Sequence, residues 1–409
     1  MAQPARLPTC LTSSSSGAGP VGLFMGVLLL QHGHRVRILE RRSNRSHRSR
    51  AIGIHPPALK ELDHAGLAAT LVASGVRIER GVAYSKGARV AGLPFNGDPD
   101  FPFILAVPQP KTEQVLEQAV MALDPDAIIR GAAVTEFADD GGTVSVLADS
   151  PSGGLAYTSR LLVAADGAHS MIRQRLLPGL SVRTYPDCYL MGDFIDTTGH
   201  GDEAVLYLEP EGIVESFPLP GDVRRWVVRL GAPARSPTAA GLAALVEART
   251  GVGVDPGSNT MLSAFEVQSR LVKRMVHGRT VLLGDAAHEI SPIGGQGMNL
   301  GWLDAAALAP LVDASLRGHN VGRQLQLFEK ERRRAASRAS QQAGLNMALG
   351  RPLHPAIMAS RNAFFCPCLG TAGCLRPGRT AIHHALGGAC SFMTLPVQEG
   401  CSNSRRCLG

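Results

Sequence analysis

The stretch from Val281 to Asp304, VLLGDAAHEISPIGGQGMNLGWLD, limits the possible folds more than any other part of the chain. Val281-Leu282-Leu283 is a short apolar run ending in Gly284-Asp285. It reads as a buried strand that delivers a carboxylate to the carboxyl edge of a sheet. Ligands of open α/β sheets bind at that edge. Pro292-Ile293-Gly294-Gly295-Gln296-Gly297-Met298-Asn299 then places three glycines in four positions before a helix-like run from Leu300 to Leu311. Glycines there let backbone N–H groups approach a ligand, and the helix N-terminus that follows favours an acceptor or anion. One carboxylate beside a row of backbone donors suits a ligand with both hydroxyls and electronegative ring atoms.

A second glycine cluster stands near the start. Gly17-Ala18-Gly19-Pro20-Val21-Gly22 meets the GxGxxG pattern, followed by a helix-like run and the alternating strand His34 to Glu40. Glu40 lies 18 residues after Gly22. This spacing is a dinucleotide fingerprint, with the pyrophosphate over the helix N-terminus and Glu40 on a ribose hydroxyl pair. Spacing alone shows a dinucleotide and leaves NAD(P)H open as the ligand. The fingerprint also expects an apolar strand directly before Gly17, where Leu11-Thr12-Ser13-Ser14-Ser15-Ser16 stands instead. Four serines bury little apolar surface, so this central strand is expected to be degenerate and weakly held. A third cluster runs from Arg160 to Arg173, where an apolar strand delivers Asp166-Gly167 to a turn and Ser170 opens the next segment.

The order of GAGPVG, DGAHSMIR, GDAAH and SPIGGQGMN, with Asp304 trailing, resembles the class A FAD-dependent monooxygenases, the para-hydroxybenzoate hydroxylase-like aromatic-ring hydroxylases. The resemblance runs from about Gly17 to Arg361. It implies an α/β fold in which a Rossmann-like FAD-binding domain with a parallel sheet is interleaved with a smaller antiparallel-sheet substrate domain. The expected FAD-binding parts are residues 1–75, 109–180 and 271–361, the last including C-terminal helices. The expected substrate parts are 76–108 and 181–270, with an irregular Cys-rich tail over 362–409. The cofactor-binding residues implied are Gly17, Gly19, Pro20, Val21, Gly22, Glu40, Arg41, Arg50, Gln109, Asp166, Gly167, Gly284, Asp285, Pro292, Gly294, Gly295, Gln296, Gly297, Met298 and Asn299. Arg50 precedes the Ala51-Ile52-Gly53 segment as in relatives, with Arg48 a weaker match. Pro292 would shape the pocket beside the flavin ring and His288 would orient the loop. No general base is identifiable.

The implied chemistry is reduction of FAD by NADH or NADPH, reaction with O₂, and transfer of one oxygen atom to a small aromatic or polyketide-like substrate. A flavin-dependent reductase or dehydrogenase of the same fold is an alternative. A halogenase is disfavoured because a WxWxIP segment is missing, Trp226 and Trp302 being the only tryptophans. A non-catalytic relative with impaired FAD binding is the alternative of a different class, motivated by the serine-rich first strand and the tail.

Composition agrees with this scale. With 409 residues, 44% hydrophobic and 18% charged, the chain can bury one large or two moderate cores. Part of the net charge of +7 comes from five arginines between Arg41 and Arg50. Without aromatic interleaving or a nucleic-acid motif, this run reads as serving a pyrophosphate rather than nucleic acid. Val21 to Leu30 is too short to span a bilayer, so no membrane span and a cytoplasmic location are expected. Six of the eight cysteines lie in the last 44 residues, at spacings that do not suit zinc, so no metal site is expected. Between Ser181 and Arg270 the pattern is strand and turn, an antiparallel meander with one face free to cover something; the resemblance implies that it roofs the flavin ring. Arg224, Arg225 and Trp226 are its candidates for touching substrate. A long amphipathic helix is expected from Gly322 to Leu349.

Overall fold

The computed structural model describes residues 11–13, 17–45 and 51–352. Arg48, Arg50 and the Cys-rich region 362–409 therefore lie outside the described residues.

A six-stranded sheet forms the base. Its order is Val276–His277, Thr280–Leu282, Leu162–Ala164, Leu11–Ser13, Ile38–Glu40 and Ile128–Arg130. All neighbours run parallel except the hairpin partner Val276–His277. Leu11–Ser13 takes a central place, with Leu11 opposite Leu162 and Thr12 opposite Ile38. A parallel ladder is made by backbone groups, so a polar segment between two apolar strands still pairs. The strand expected over His34–Glu40 is confined to Ile38–Glu40.

Helix Pro20–Gln31 packs against helices Gln109–Leu123 and Gln296–Leu316. Leu23, Phe24, Met25, Val27 and Leu29 in it are fully buried, as required of a helix covered on nearly every side. Helix Gly322–Leu349 spans the residues its periodicity indicates and packs on Gln296–Leu316 and on strand Met261–Leu271.

A second large sheet has eight strands in the order His288–Glu289, Met261–Leu271, Arg183–Ile195, Val223–Leu230, Val214–Leu219, Ala204–Tyr207, Arg80–Ser85 and Ala88–Pro94. It is antiparallel apart from Ala204–Tyr207, which runs parallel to Arg80–Ser85. That pairing joins strands from distant parts of the chain, which no local turn signal encodes. Helix Ala239–Thr250 covers one face, its Leu242 and Val246 packing among Val205, Val214 and Trp226. This helix corrects the strand-and-turn reading of residues 181–270. Its signals are present in the sequence: Thr238 Oγ1 accepts from Gly241 N–H at 3.1 Å, and Gly251 ends the helix at φ 73°. The sheet's other face lines a cavity together with the loops at the strand ends of the base sheet.

Candidate active site

The first wall of the cavity is built where the strand ends meet the glycine loop. Gly19 caps helix Pro20–Gln31, and Gly19, Pro20 and Val21 line the cavity. A Cβ on Gly22 would lie 1.8 Å from the Gly17 carbonyl oxygen, so only glycine lets the loop fold back onto the helix. Glu40 is fully buried at its strand end. Its Oε2 accepts from Ala18 N–H at 3.0 Å, and its Oε1 accepts from the backbone N–H and Nε of Arg42 at 2.9 and 3.0 Å. The carboxylate is thereby fixed beside the glycine loop with acceptor capacity remaining. Arg42, not Arg41, reaches the cavity wall, and Arg41 is exposed. Both follow the strand end at Glu40, and the arginine run itself does not disclose which of them turns toward the cavity.

Gln109 lines the cavity at the start of its helix and donates to Glu113 Oε1 at 2.9 Å. Glu113, which sequence reasoning missed, also lines the wall, and burial pushes its carboxyl up. It sits at i+4 from Gln109, a spacing that identifies it once Gln109 is chosen.

Asp166 lies beneath the wall rather than in it. Burial pushes its carboxyl up; Oδ2 accepts from Ile172 N–H at 3.2 Å, and Oδ1 is buried with no partner among the described residues. Its neighbours Ala165, Gly167 and Ala168 are the ones that face the cavity. Arg173 ties this turn to the next motif, donating to the carbonyls of Ala168, Asp285 and Ala286 at 2.5, 3.1 and 3.3 Å.

The far end is the loop before helix Gln296–Leu316. Asp285, Pro292, Gly294, Gly295, Gly297 and Met298 line it, with Gly294 at φ 89° and Gly295 at φ 63°. Asn299 and Gly284 of the same motif hold the loop from behind, and Gln296 is buried beside them. Asn299 accepts from His55 N–H at 2.9 Å and donates to the Gly53 and Gly295 carbonyls at 2.9 and 2.7 Å. Gln296 is buried, with Oε1 lacking a partner among the described residues. Gly284, at φ 55°, donates its N–H to Asp304 Oδ2 at 3.2 Å. His288 is fully buried, away from the lining residues, its Nε2 against Asp304 Oδ2. Burial disfavours the charged imidazole, but Asp304 outweighs it and raises its pKa; His288 and Arg332 in turn hold the fully buried Asp304 carboxyl below the usual range. Arg332 Nε donates to Asp304 Oδ1 at 2.7 Å. His288 is thus part of a buried ion cluster that pins Gly284, and its ring does not reach the cavity.

The opposite wall is the inner face of the eight-stranded sheet. Met191, Leu206, Glu215, Phe217, Arg225, Val227 and Phe265 face the cavity. Arg225 is held by Asp193 through bonds of 2.6 and 2.8 Å. Arg224 and Trp226 point to the sheet's other side: Arg224 meets Asp196 at 2.8 Å and Trp226 stacks on Tyr207. Of the three substrate candidates, only Arg225 therefore faces the cavity.

The result is one continuous cavity of about 460 Å³. It runs from a helix N-terminus with a buried carboxylate and an arginine, past a glutamine, to a glycine-rich loop facing an apolar sheet. Cations and backbone donors at one end, and a flat apolar slot at the other, fit a flavin dinucleotide lying along it.

Residues 16–343 match the FAD binding domain family. The 12-dehydrotetracycline 5-monooxygenase/anhydrotetracycline 6-monooxygenase of Streptomyces rimosus is 32% identical over 343 residues, which are 79% of this chain and 66% of that protein. The chain thus spans just under two thirds of that relative. The rifampicin monooxygenase of Streptomyces venezuelae is 32% identical over 336 residues, 78% of this chain and 68% of that protein. The crystal structure of p-nitrophenol 4-monooxygenase from Pseudomonas putida superposes with a TM-score of 0.81 at 24% identity, covering 89% of this chain and 94% of that one, a likeness of fold. The anhydrotetracycline hydroxylase of Streptomyces rimosus gives a TM-score of 0.70 at 28% identity, covering 88% of this chain and 72% of that one.

Proposed function

Because the chain belongs to the FAD binding domain family, we propose that it is a FAD-dependent monooxygenase that uses NAD(P)H and O₂ to hydroxylate a small aromatic or polyketide-like molecule. The observation that carries this reading is the continuity of the cavity from the dinucleotide fingerprint to the apolar sheet face. Bound FAD would supply hydride acceptance and oxygen activation, the chemistry that side chains lack. The protein's part is placement. The helix N-terminus at Gly19 and the Arg42 guanidinium would neutralise the pyrophosphate, and Glu40 would accept from ribose hydroxyls. Gln109 and Asp285 would hold the chain between the two ends, and backbone N–H groups of the Gly294–Gly297 segment would meet the acceptor atoms of the ring. Pro292, Met191, Leu206, Phe217, Val227 and Phe265 would exclude water around the reacting carbon, which keeps the oxidising equivalent from being lost to solvent.

The test is the visible spectrum of the purified full chain. A flavin spectrum, bleached by NAD(P)H and restored by air, is the expected outcome. A colourless protein that takes up no added FAD would contradict the proposal.

A further inference from the structure

Glu215 is out of place by composition alone. It sits in strand Val214–Leu219, in a cross-sheet row with Val227 and Leu206 as its direct neighbours and Met191 beyond Val227. All four line the cavity, as does Phe217, two residues along the same strand. Glu215 is only 5% exposed. Among the described residues its carboxyl has no hydrogen-bond or ion-pair partner, and burial alone acts on it, raising its pKa to about 7. Of the other carboxyls around the cavity, Glu40 is engaged with Ala18 and Arg42, Glu113 with Gln109 and Glu289 with Arg270, while Glu266 is exposed. Arg225, which pairs across the strands with Phe217, is taken by Asp193 through two bonds. A buried carboxyl without a partner costs stability and is rare in folded proteins. Its position on the slot wall, surrounded by apolar side chains, is what a single orienting polar group in a ligand pocket looks like.

We propose that Glu215 is the specificity-determining residue of this site: its carboxyl accepts a hydrogen bond from a hydroxyl carried by an otherwise apolar, flat ring system lying against Met191, Leu206, Phe217 and Val227. Occupancy by such a ring rests on the monooxygenase reading; the selection for a hydroxyl rests on Glu215 itself. A ligand with the hydroxyl completes the carboxyl's hydrogen bonding. Once the carboxyl is ionised, the corresponding O-methyl ether offers it no donor and leaves it buried and unpaired, so above about pH 7 the site discriminates between two molecules that differ by one methyl group.

Equilibrium dialysis of the FAD-loaded full chain against naphthol, hydroxyanthraquinone and para-nitrophenol, each beside its O-methyl ether, tests this. Wild type is expected to bind at least one hydroxyl compound about ten- to a hundredfold more tightly than its ether. Glu215→Leu abolishes the preference while the affinity for the ether is kept or improved, and Glu215→Asp retains part of it. A loss of affinity for ether and hydroxyl compound alike, as a misshapen pocket would give, overturns the proposal. So does an unchanged preference in Glu215→Leu, or failure of every hydroxyl compound to bind. Bleaching of the flavin by NAD(P)H is read separately on the same samples. Failure of that step strikes the monooxygenase reading, whereas absence of a hydroxyl preference in wild type, or its persistence in Glu215→Leu, with bleaching intact strikes only the assignment of Glu215.

Discussion

At the scale of single residues, Glu215 makes a measurable demand on the free protein. A carboxyl raised from 4.5 to about 7 is stable in its neutral form and penalised when charged. Below the unfolded value both states hold the proton and the penalty is nil. As pH rises toward the folded value, the unfolded chain ionises while the folded one resists, and stability is lost. The full loss is about 3 kcal/mol. Glu215→Gln removes the titration, so its stability relative to wild type is expected to rise by about that amount between about pH 4 and about pH 8, followed by urea unfolding at each pH. A pH-independent difference would show that the carboxyl is solvated. Nothing in EGIVESFPL marks this residue beforehand. Val214–Leu219 is buried on both faces, so alternation does not say which side faces a ligand. Glu40 is legible because it ends a strand at a fixed distance from a glycine motif, and Asp285 because it follows a short apolar strand just before the second glycine run, in the turn Gly284–Ala286. Arg42 is not, since its choice over Arg41 depends on which way a strand end turns.

At the scale of elements, the glycine loop and its helix act as one unit. A methyl group added at Gly22 would sit 1.8 Å from the Gly17 oxygen, so Gly22→Ala cannot keep both the loop and the helix start in place. Overpacking of this kind costs about 1–3 kcal/mol. Since it falls on the pyrophosphate end, the expected result is a loss of FAD affinity of about ten- to a hundredfold with unchanged far-ultraviolet circular dichroism. It is checked by the flavin-to-protein absorbance ratio after gel filtration, and full retention would count against the placement of the pyrophosphate there. Elements carrying a motif or a strong period, such as Gly322–Leu349, were readable in advance. Helix Ala239–Thr250 was not, although it has a cap and a stop, because alanine-rich helices against a sheet show little polar alternation. The central strand Leu11–Ser13 is the reverse case: its position follows from the ladder on either side, not from an apolar pattern of its own.

At the scale of the whole molecule, the loops at the strand ends of the base sheet and the inner face of the eight-stranded sheet meet across the cavity, whose wall also takes in residues of the small sheet of Gly53–Ile54, Ile104–Ala106 and Val76–Ile78. A ligand that touches both walls stabilises their joint arrangement. FAD at a hundred times its dissociation constant is expected to add about 2.7 kcal/mol, seen as a rise in melting temperature with FAD concentration. No change on adding FAD would mean that the folded chain does not bind it. Among the described residues no helix is long and apolar enough to cross a membrane. The cavity wall also has an order in time. Its pieces are made in sequence from Gly19 and Arg42, through Gln109, Ala165 and Glu215, to Gly294 and Met298. During synthesis the pyrophosphate end emerges well before the loop that closes the ring end. A nascent chain therefore carries half a binding site for most of its translation, and the cofactor has a complete seat only after the ribosome has passed Met298.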